Sequence, residues 1–261
     1  MSAQPWVPSE PEPGVGFRLD GMRAVVTGAG RGIGRGCALA LASAGADVVA
    51  VSRTQAELEA VAAAVRRRGR RGETLVCDVT DPRAVEAGFQ ALGAVDVLVT
   101  SAGANVPQAF LDVGAAQLDE LLAVNVKGTF LAAQAAVRGM VGGAGGAVVM
   151  VSSQMGHVGA PRRSVYCATK HAIEGLTRAL AVELAPRGVR VNAVAPTFVD
   201  TPMTRPFLAD PSFRAGVLER IPLGRLGSVE DVAAAVVFLA SPAAALVTGA
   251  SLLVDGGWTA Q

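Results

Sequence analysis

Tyr166 is the only tyrosine of the 261-residue chain, and it stands four residues before Lys170, one of two lysines (with Lys127) against 21 arginines. In a helix over 164–185, positions i and i+4 share a face, so the phenol and the ammonium would serve one cleft. A phenol ordinarily titrates near pH ~10, and a fixed cation beside it favours the phenolate, which predicts an acid/base group usable near neutrality. Arginine would supply charge there, but not a compact, mobile ammonium. The alternative is a surface helix that carries both residues incidentally. Residues 146–153 argue against it, reading as a buried strand of continuous apolar residues that ends in two hydroxyls. Ser153 is thereby placed at a strand's carboxyl end, where an open parallel sheet presents its chemistry. Its hydroxyl can donate a hydrogen bond to a carbonyl oxygen while Tyr166 delivers the proton, a division of labour that suits ketone reduction. Serine-nucleophile chemistry fits poorly, because no G-x-S-x-G occurs and neither His157 nor His171 sits in a strand-turn-helix elbow.

A second group of residues could hold phosphates. Gly28, Gly30, Gly32 and Gly34 follow the first strand and run, through Arg31 and Ile33, into a helix expected over about 33–44. Glycines let the backbone approach a pyrophosphate whose charge meets the helix's N-terminal amides. The spacing is T-G-x-x-x-G-x-G, not G-x-G-x-x-G. The second strand ends in Ser52-Arg53, where an acidic residue at the Ser52 position would hold a ribose 2′-hydroxyl. Ser52 removes that repulsion, and Arg53 with Arg31 could pair with a 2′-phosphate, which favours NADP(H) and leaves NAD(H) possible. Both arginines could equally be solvated surface charges.

These groups need a scaffold. Apolar strand-like runs at about 23–27, 47–52, 73–77, 95–100, 146–152, 189–194 and 250–254 alternate with alanine-rich helical stretches, a βαβ rhythm that predicts a doubly wound α/β domain with a parallel sheet covered on both faces. Asp81-Pro82 should open one helix and Pro186 to Gly188 close another. Residues 1–17, with four prolines, read as a mobile arm, and the catalytic domain as 18–261. Residues 197–225, rich in proline, read as an irregular substrate lid. The composition is 51% apolar and 4% aromatic with a mean hydropathy of +0.42, so the core should be mostly Ala, Val and Leu. A net charge of +1 makes no case for nucleic acid or membrane surfaces as partners. Cys37, Cys77 and Cys167 lack metal-like spacing, so no metal site is expected, and they fit a reducing cytoplasm. No secretory signal or membrane span is visible.

T-G-x-x-x-G-x-G, Cys77-Asp78-Val79, Ala102-Gly103, Asn125, Ser153 and Tyr166-x-x-x-Lys170, in this order from about residue 19 to 257, closely resemble the short-chain dehydrogenase/reductase family. The resemblance implies a single Rossmann domain with seven parallel strands and an Asn, Ser, Tyr, Lys catalytic set. Tyr166 would then be the proton donor or acceptor, Ser153 would polarise the carbonyl, and Lys170 would bind the nicotinamide ribose while favouring the phenolate. Asn125 would hold a water joining Lys170 to solvent. Asp78 would contact the adenine, with Val79 packing beside it. The family's N-N-A-G reads Thr100-Ser101-Ala102-Gly103 here, which should alter bracing of the sheet. Its P-G reads Pro196-Thr197, which should cost backbone freedom and narrow the mouth, while Val199 and Thr201 complete the nicotinamide side and Thr201 keeps the hydroxyl that typically meets the carboxamide.

The expected reaction is reversible hydride transfer between NADP(H) and a carbonyl or secondary alcohol, a ketoreductase or carbonyl reductase. The alternatives are an NAD-dependent polyol or sugar-acid dehydrogenase and, from another class, a non-catalytic NADP(H)-binding protein. Phe198, Met203, Phe207, Leu208, Phe213 and Val217 should line the lid, weakly favouring a neutral, partly apolar small-molecule substrate, while Gln154, His157 and Arg205 could orient its polar substituents. His157 could as well be simply solvated. The resemblance also implies a homotetramer, with helices at about 114–140 and 164–185 pairing across one interface and the stretch 252–258 forming another.

Overall fold

The computed structural model describes residues 16–261, so positions 1–15 of the expected arm lie outside the described residues. Seven strands, β1 (Arg23–Thr27), β2 (Asp47–Ser52), β3 (Gly72–Val76), β4 (Val97–Thr100), β5 (Gly146–Val151), β6 (Val189–Pro196) and β7 (Ser251–Val254), form one sheet in the order β3-β2-β1-β4-β5-β6-β7. Every pairing is parallel. The central strands β1, β2, β4 and β5 are dominated by valine and alanine because both faces are covered, which β-branched side chains suit.

On one face lie α1 (Gly32–Ser43), α2 (Gln55–Arg66) and α9 (Val229–Ala240), whose Cys37, Leu41, Leu58, Val61, Val232 and Val236 share a core with β1, β2 and β4. The other face is covered by α3 (Pro82–Leu92), α5 (Gly128–Met140) and α6 (Ser164–Leu184), through Val85, Phe89, Ala132, Ala136, Ile173 and Ala181. As expected, Asp81 caps α3, its Oδ1 accepting from the amides of Arg83 and Ala84 at 2.9 and 3.3 Å, and Gly188 ends the α6 extension at φ 75°.

The chain winds from β1 outward to β3, then returns past β1 to β4. The connections leaving the carboxyl ends of β1 and β4 therefore run in opposite directions along the sheet, and the crevice there is where doubly wound sheets bind ligands. The stretch expected as one helix over 114–140 is α4 (Ala115–Leu122) running into α5 through a wide π-helical turn, Ala123–Lys127. The expected irregular lid is partly helical, containing α7 (Arg205–Leu208) and α8 (Pro211–Glu219). Pro206 and Pro211 fall in the first turns of α7 and α8, where a missing N–H costs nothing, and Asp210 caps α8 through the Ser212 and Phe213 amides.

Candidate active site

The glycine loop is held by contacts that leave no room for side chains. Gly28 has φ 66°, and a Cβ there would lie 2.7 Å from the amide nitrogen of Ala102, so the loop after β1 rests directly on the loop after β4. A Cβ at Gly34 would strike the Gly28 carbonyl. These contacts bring the amides at the start of α1 against the crevice, the cradle a pyrophosphate needs. At Gly32 a Cβ would stand 3.7 Å from the Thr201 side chain, so the first residues of the lid border the same cradle. Beside it, a Cβ at Gly30 would collide with the Glu57 carboxylate and lie 3.2 Å from Ser52 Oγ. Sequence reasoning missed Glu57, which the turn from β2 into α2 carries back over the groove. Arg31 and Arg53 are exposed at its rim, and Arg53 lies 3.9 Å from Asp78. Asp78 accepts from the Thr80 amide and hydroxyl, which hold its carboxyl below the usual range. Val79 packs against Gly128, where a Cβ would clash with it. Residues 28–34, Ser52, Arg53, Asp78, Ala102 and Gly103 together fit a dinucleotide.

The two departures from the family pattern have structural answers. Ser101 leaves bracing to Thr27, whose Oγ1 lies 3.2 and 3.4 Å from the amides of Ser101 and Ala102. Among the described residues only Arg162 combines a side chain with positive φ, so Thr197 causes no left-handed strain. The expected cost in backbone freedom does not arise.

Ser153, Tyr166 and Lys170 meet at the carboxyl end of β5. Ser153 is buried, its hydroxyl accepting from the Met155 amide at 3.2 Å. Tyr166 and Lys170 lie one turn apart on α6, with Lys170 Nζ 5.6 Å from the Tyr166 ring centroid. Burial pushes the Tyr166 phenol up to about 12, while the Ser153 hydroxyl and the Arg163 charge pull it down. Burial also pushes Lys170 down to about 8, opposed by Glu174. The expectation of a phenolate favoured near neutrality is thus corrected for the protein alone: desolvation outweighs the Ser153 hydroxyl and the Arg163 charge. Asn125, in the π-helical turn, donates to the Ala104 carbonyl (2.9 Å) and the Thr169 hydroxyl (3.1 Å) and accepts from the Ala104 amide (2.8 Å). Both its amide protons are therefore committed to protein groups.

The residues expected to meet substrate divide. Gln154 is buried beside Ser153, and neither of its amide atoms has a partner among the described residues. His157 turns toward β7, with Nε2 3.0 Å from Ser251 Oγ and 3.3 Å from the Glu174 carboxylate. Phe198 joins Phe213 and Trp258 in an aromatic cluster with Met155, Leu208 and Val217 that packs against Tyr166. Phe207 lies over Arg163. Met203 is 41% exposed, outside that cluster, and Arg205 pairs with Asp200 at 2.7 Å instead of entering the cleft. Among the described residues no His, Cys, Asp or Glu cluster could hold a metal, and no helix is long and apolar enough to cross a membrane.

Known proteins share this arrangement. A family model described as enoyl-(acyl carrier protein) reductase matches residues 28–259. L-xylulose reductase of Bos taurus is 44% identical over 245 residues, 94% of this chain and 99% of that one. Galactitol 2-dehydrogenase (L-tagatose-forming) of Cereibacter sphaeroides is 44% identical over 252 residues, 93% and 97% of the two chains. A gluconate 5-dehydrogenase from Burkholderia cenocepacia J2315, solved in complex with NADP and tartrate, superposes with a TM-score of 0.91 at 34% identity, covering 94% of this chain and 98% of that one. With the parallel sheet, the glycine cradle and the Ser153, Tyr166 and Lys170 cluster, these likenesses establish an NAD(P)-dependent oxidoreductase acting on CH–OH and C=O groups, and the chain belongs to the short-chain dehydrogenase/reductase family.

Proposed function

We propose that the chain is an NADP(H)-preferring dehydrogenase that interconverts small polyhydroxylated alcohols and their ketones, with Tyr166 as the acid/base. The observation that carries this reading is the placement of Tyr166 beside Ser153 and one turn before Lys170 at the carboxyl end of β5. The names of its relatives, a xylulose reductase and a galactitol dehydrogenase, support the substrate class. Bound in the glycine cradle, a nicotinamide dinucleotide supplies or takes the hydride. In the reductive direction Ser153 holds the carbonyl oxygen and the neutral Tyr166 phenol protonates it. In the oxidative direction the phenolate takes the hydroxyl proton. Lys170, fixed by the Val151 carbonyl at 2.8 Å, supplies the charge that favours the phenolate, and Asn125 pins the 103–105 loop to α6. Pro196, Thr197, Val199 and Thr201 close the nicotinamide side. The preference for NADP(H) rests on Arg31 and Arg53 at the rim. Cys37 and Cys77, free and buried, suit a reducing cytoplasm.

Replacing Tyr166 by Phe removes the acid while keeping the ring, and turnover should fall about 10²–10⁴-fold with cofactor binding retained. Turnover within a few-fold of the parent would remove Tyr166 from the reaction.

A further inference from the structure

One buried charge has no part in this scheme. Arg163 is 5% exposed, and no carboxylate pairs with it among the described residues. Arginine is almost never so buried without a partner, because an uncompensated desolvated charge is costly. Its position is enforced. Arg162, just before it, holds φ 60°, and the Arg162 carbonyl accepts from the Gln108 amide at 3.0 Å. The Arg163 carbonyl accepts from the Cys167 amide at 2.7 Å, closing the first turn of α6. These bonds fix the backbone from which the Arg163 side chain departs. Its guanidinium carbon lies 4.9 Å from the Phe207 ring centroid in the lid, and it acts electrostatically on the Tyr166 phenol three residues on. A guanidinium covered on one face by an aromatic ring keeps its in-plane N–H donors, which match the two oxygens of a carboxylate.

We propose that the substrate is a hydroxy acid or its keto acid, and that Arg163 binds the carboxylate while Tyr166 serves the carbinol or carbonyl oxygen. This deepens the dehydrogenase reading and rests on it. The carboxylate is unchanged: the CH–OH group loses a hydride to the oxidised dinucleotide and its hydroxyl proton to Tyr166, and becomes C=O. The competing role for Arg163 is a platform that only supports Phe207.

Matched pairs separate the two roles: gluconate against glucitol and threonate against threitol, oxidised with NADP⁺ or NAD⁺ by the parent, Arg163→Lys and Arg163→Met. The parent should favour each acid by about tenfold or more in kcat/KM, the worth of one charge-assisted hydrogen bond. Arg163→Met should abolish that ratio through KM, and Arg163→Lys should keep part of it. A parent that prefers the neutral polyols, or an Arg163→Met loss equal on both members, overturns the proposal. Calorimetric titration of tartrate into each protein with NADP⁺ needs no turnover. Saturable binding should be present in the parent and lost in Arg163→Met; no binding to the parent, or binding unchanged in the variant, also overturns it. Arg163-dependent tartrate binding without oxidation of any member would instead sink the polyhydroxylated-alcohol reading and leave the anion site standing.

Discussion

Lys170 is tied to the last residue of β5: its Nζ donates to the Val151 carbonyl at 2.8 Å, so the ammonium is fixed by the sheet and not by the Tyr166 phenol it accompanies. A buried ammonium held this way costs stability. Its titration falls from 10.5 to about 8 on folding, so between those values the unfolded chain binds more protons and stability should rise with pH; below about pH 8 the whole penalty applies. Lys170→Met should therefore abolish activity yet raise stability at pH 7 by roughly 1–3 kcal/mol, with a smaller gain at pH 10. Urea unfolding at both pH values checks this; a variant less stable at pH 7 would contradict it.

The rate should follow the phenol. With Tyr166 pushed up to about 12, the phenolate is scarce at neutral pH, so oxidation should accelerate about tenfold per pH unit through the neutral range. The slope should ease above about pH 8, where Lys170 loses the charge that favours the phenolate. Reduction, which uses the neutral phenol, should not accelerate with pH. Oxidative kcat/KM that is flat from pH ~6 to ~10 would show that proton transfer does not limit the reaction.

Cofactor choice should turn on opposing charges. Arg53→Ala should weaken NADP(H) by about tenfold with little effect on NAD(H), as expected for one lost phosphate contact. Glu57→Gln, which removes the carboxylate beside Gly30 and Ser52, should strengthen NADP(H) selectively. Fluorescence titration with each reduced cofactor measures both, and equal changes for the two cofactors would detach these residues from the 2′-phosphate.

Apolar side chains remain uncovered on the helices expected to meet a second copy: Leu118 and Leu122 on α4, Phe130 on α5 and Val182 on α6, the last 80% exposed. Side chains of this kind are what an association surface would cover. Light scattering should give a tetramer, and the double substitution Phe130→Glu, Val182→Glu should reduce it to a smaller species. An unaltered tetramer would place the interface elsewhere.

The strand runs and the order of the fold were legible because valine-rich strands and alanine-rich helices carry their own periods, with boundaries shifted by one or two residues at β3, β4, β5, β6 and β7. Ser153 and Tyr166 were legible because the end of a strand and the i, i+4 spacing fix where side chains emerge. What stayed hidden depends on distant packing. Glu57 reaches Gly30 only through the turn between β2 and α2. Nothing in the sequence separates Arg162 from Arg163, and only the fold shows that one is buried. The proline-rich lid reads as irregular, yet Pro206 and Pro211 stand in first turns, where proline opens helices. The direction of the phenol's shift needs the depth of burial, which no spacing reports.

The wide turn at Ala123–Lys127 lets the α4–α5 rod carry an extra residue without changing the phase of its two halves. Such a turn stores one residue beyond α-helical spacing, so deleting Val124 should leave circular dichroism nearly unchanged and the two halves nearly in phase, while moving the residues of the turn itself. Asn125 would lose its alignment with Ala104 and Thr169, and an outwardly intact helix would no longer clasp the loop beside the crevice. Secondary-structure content alone would report such a protein as normal.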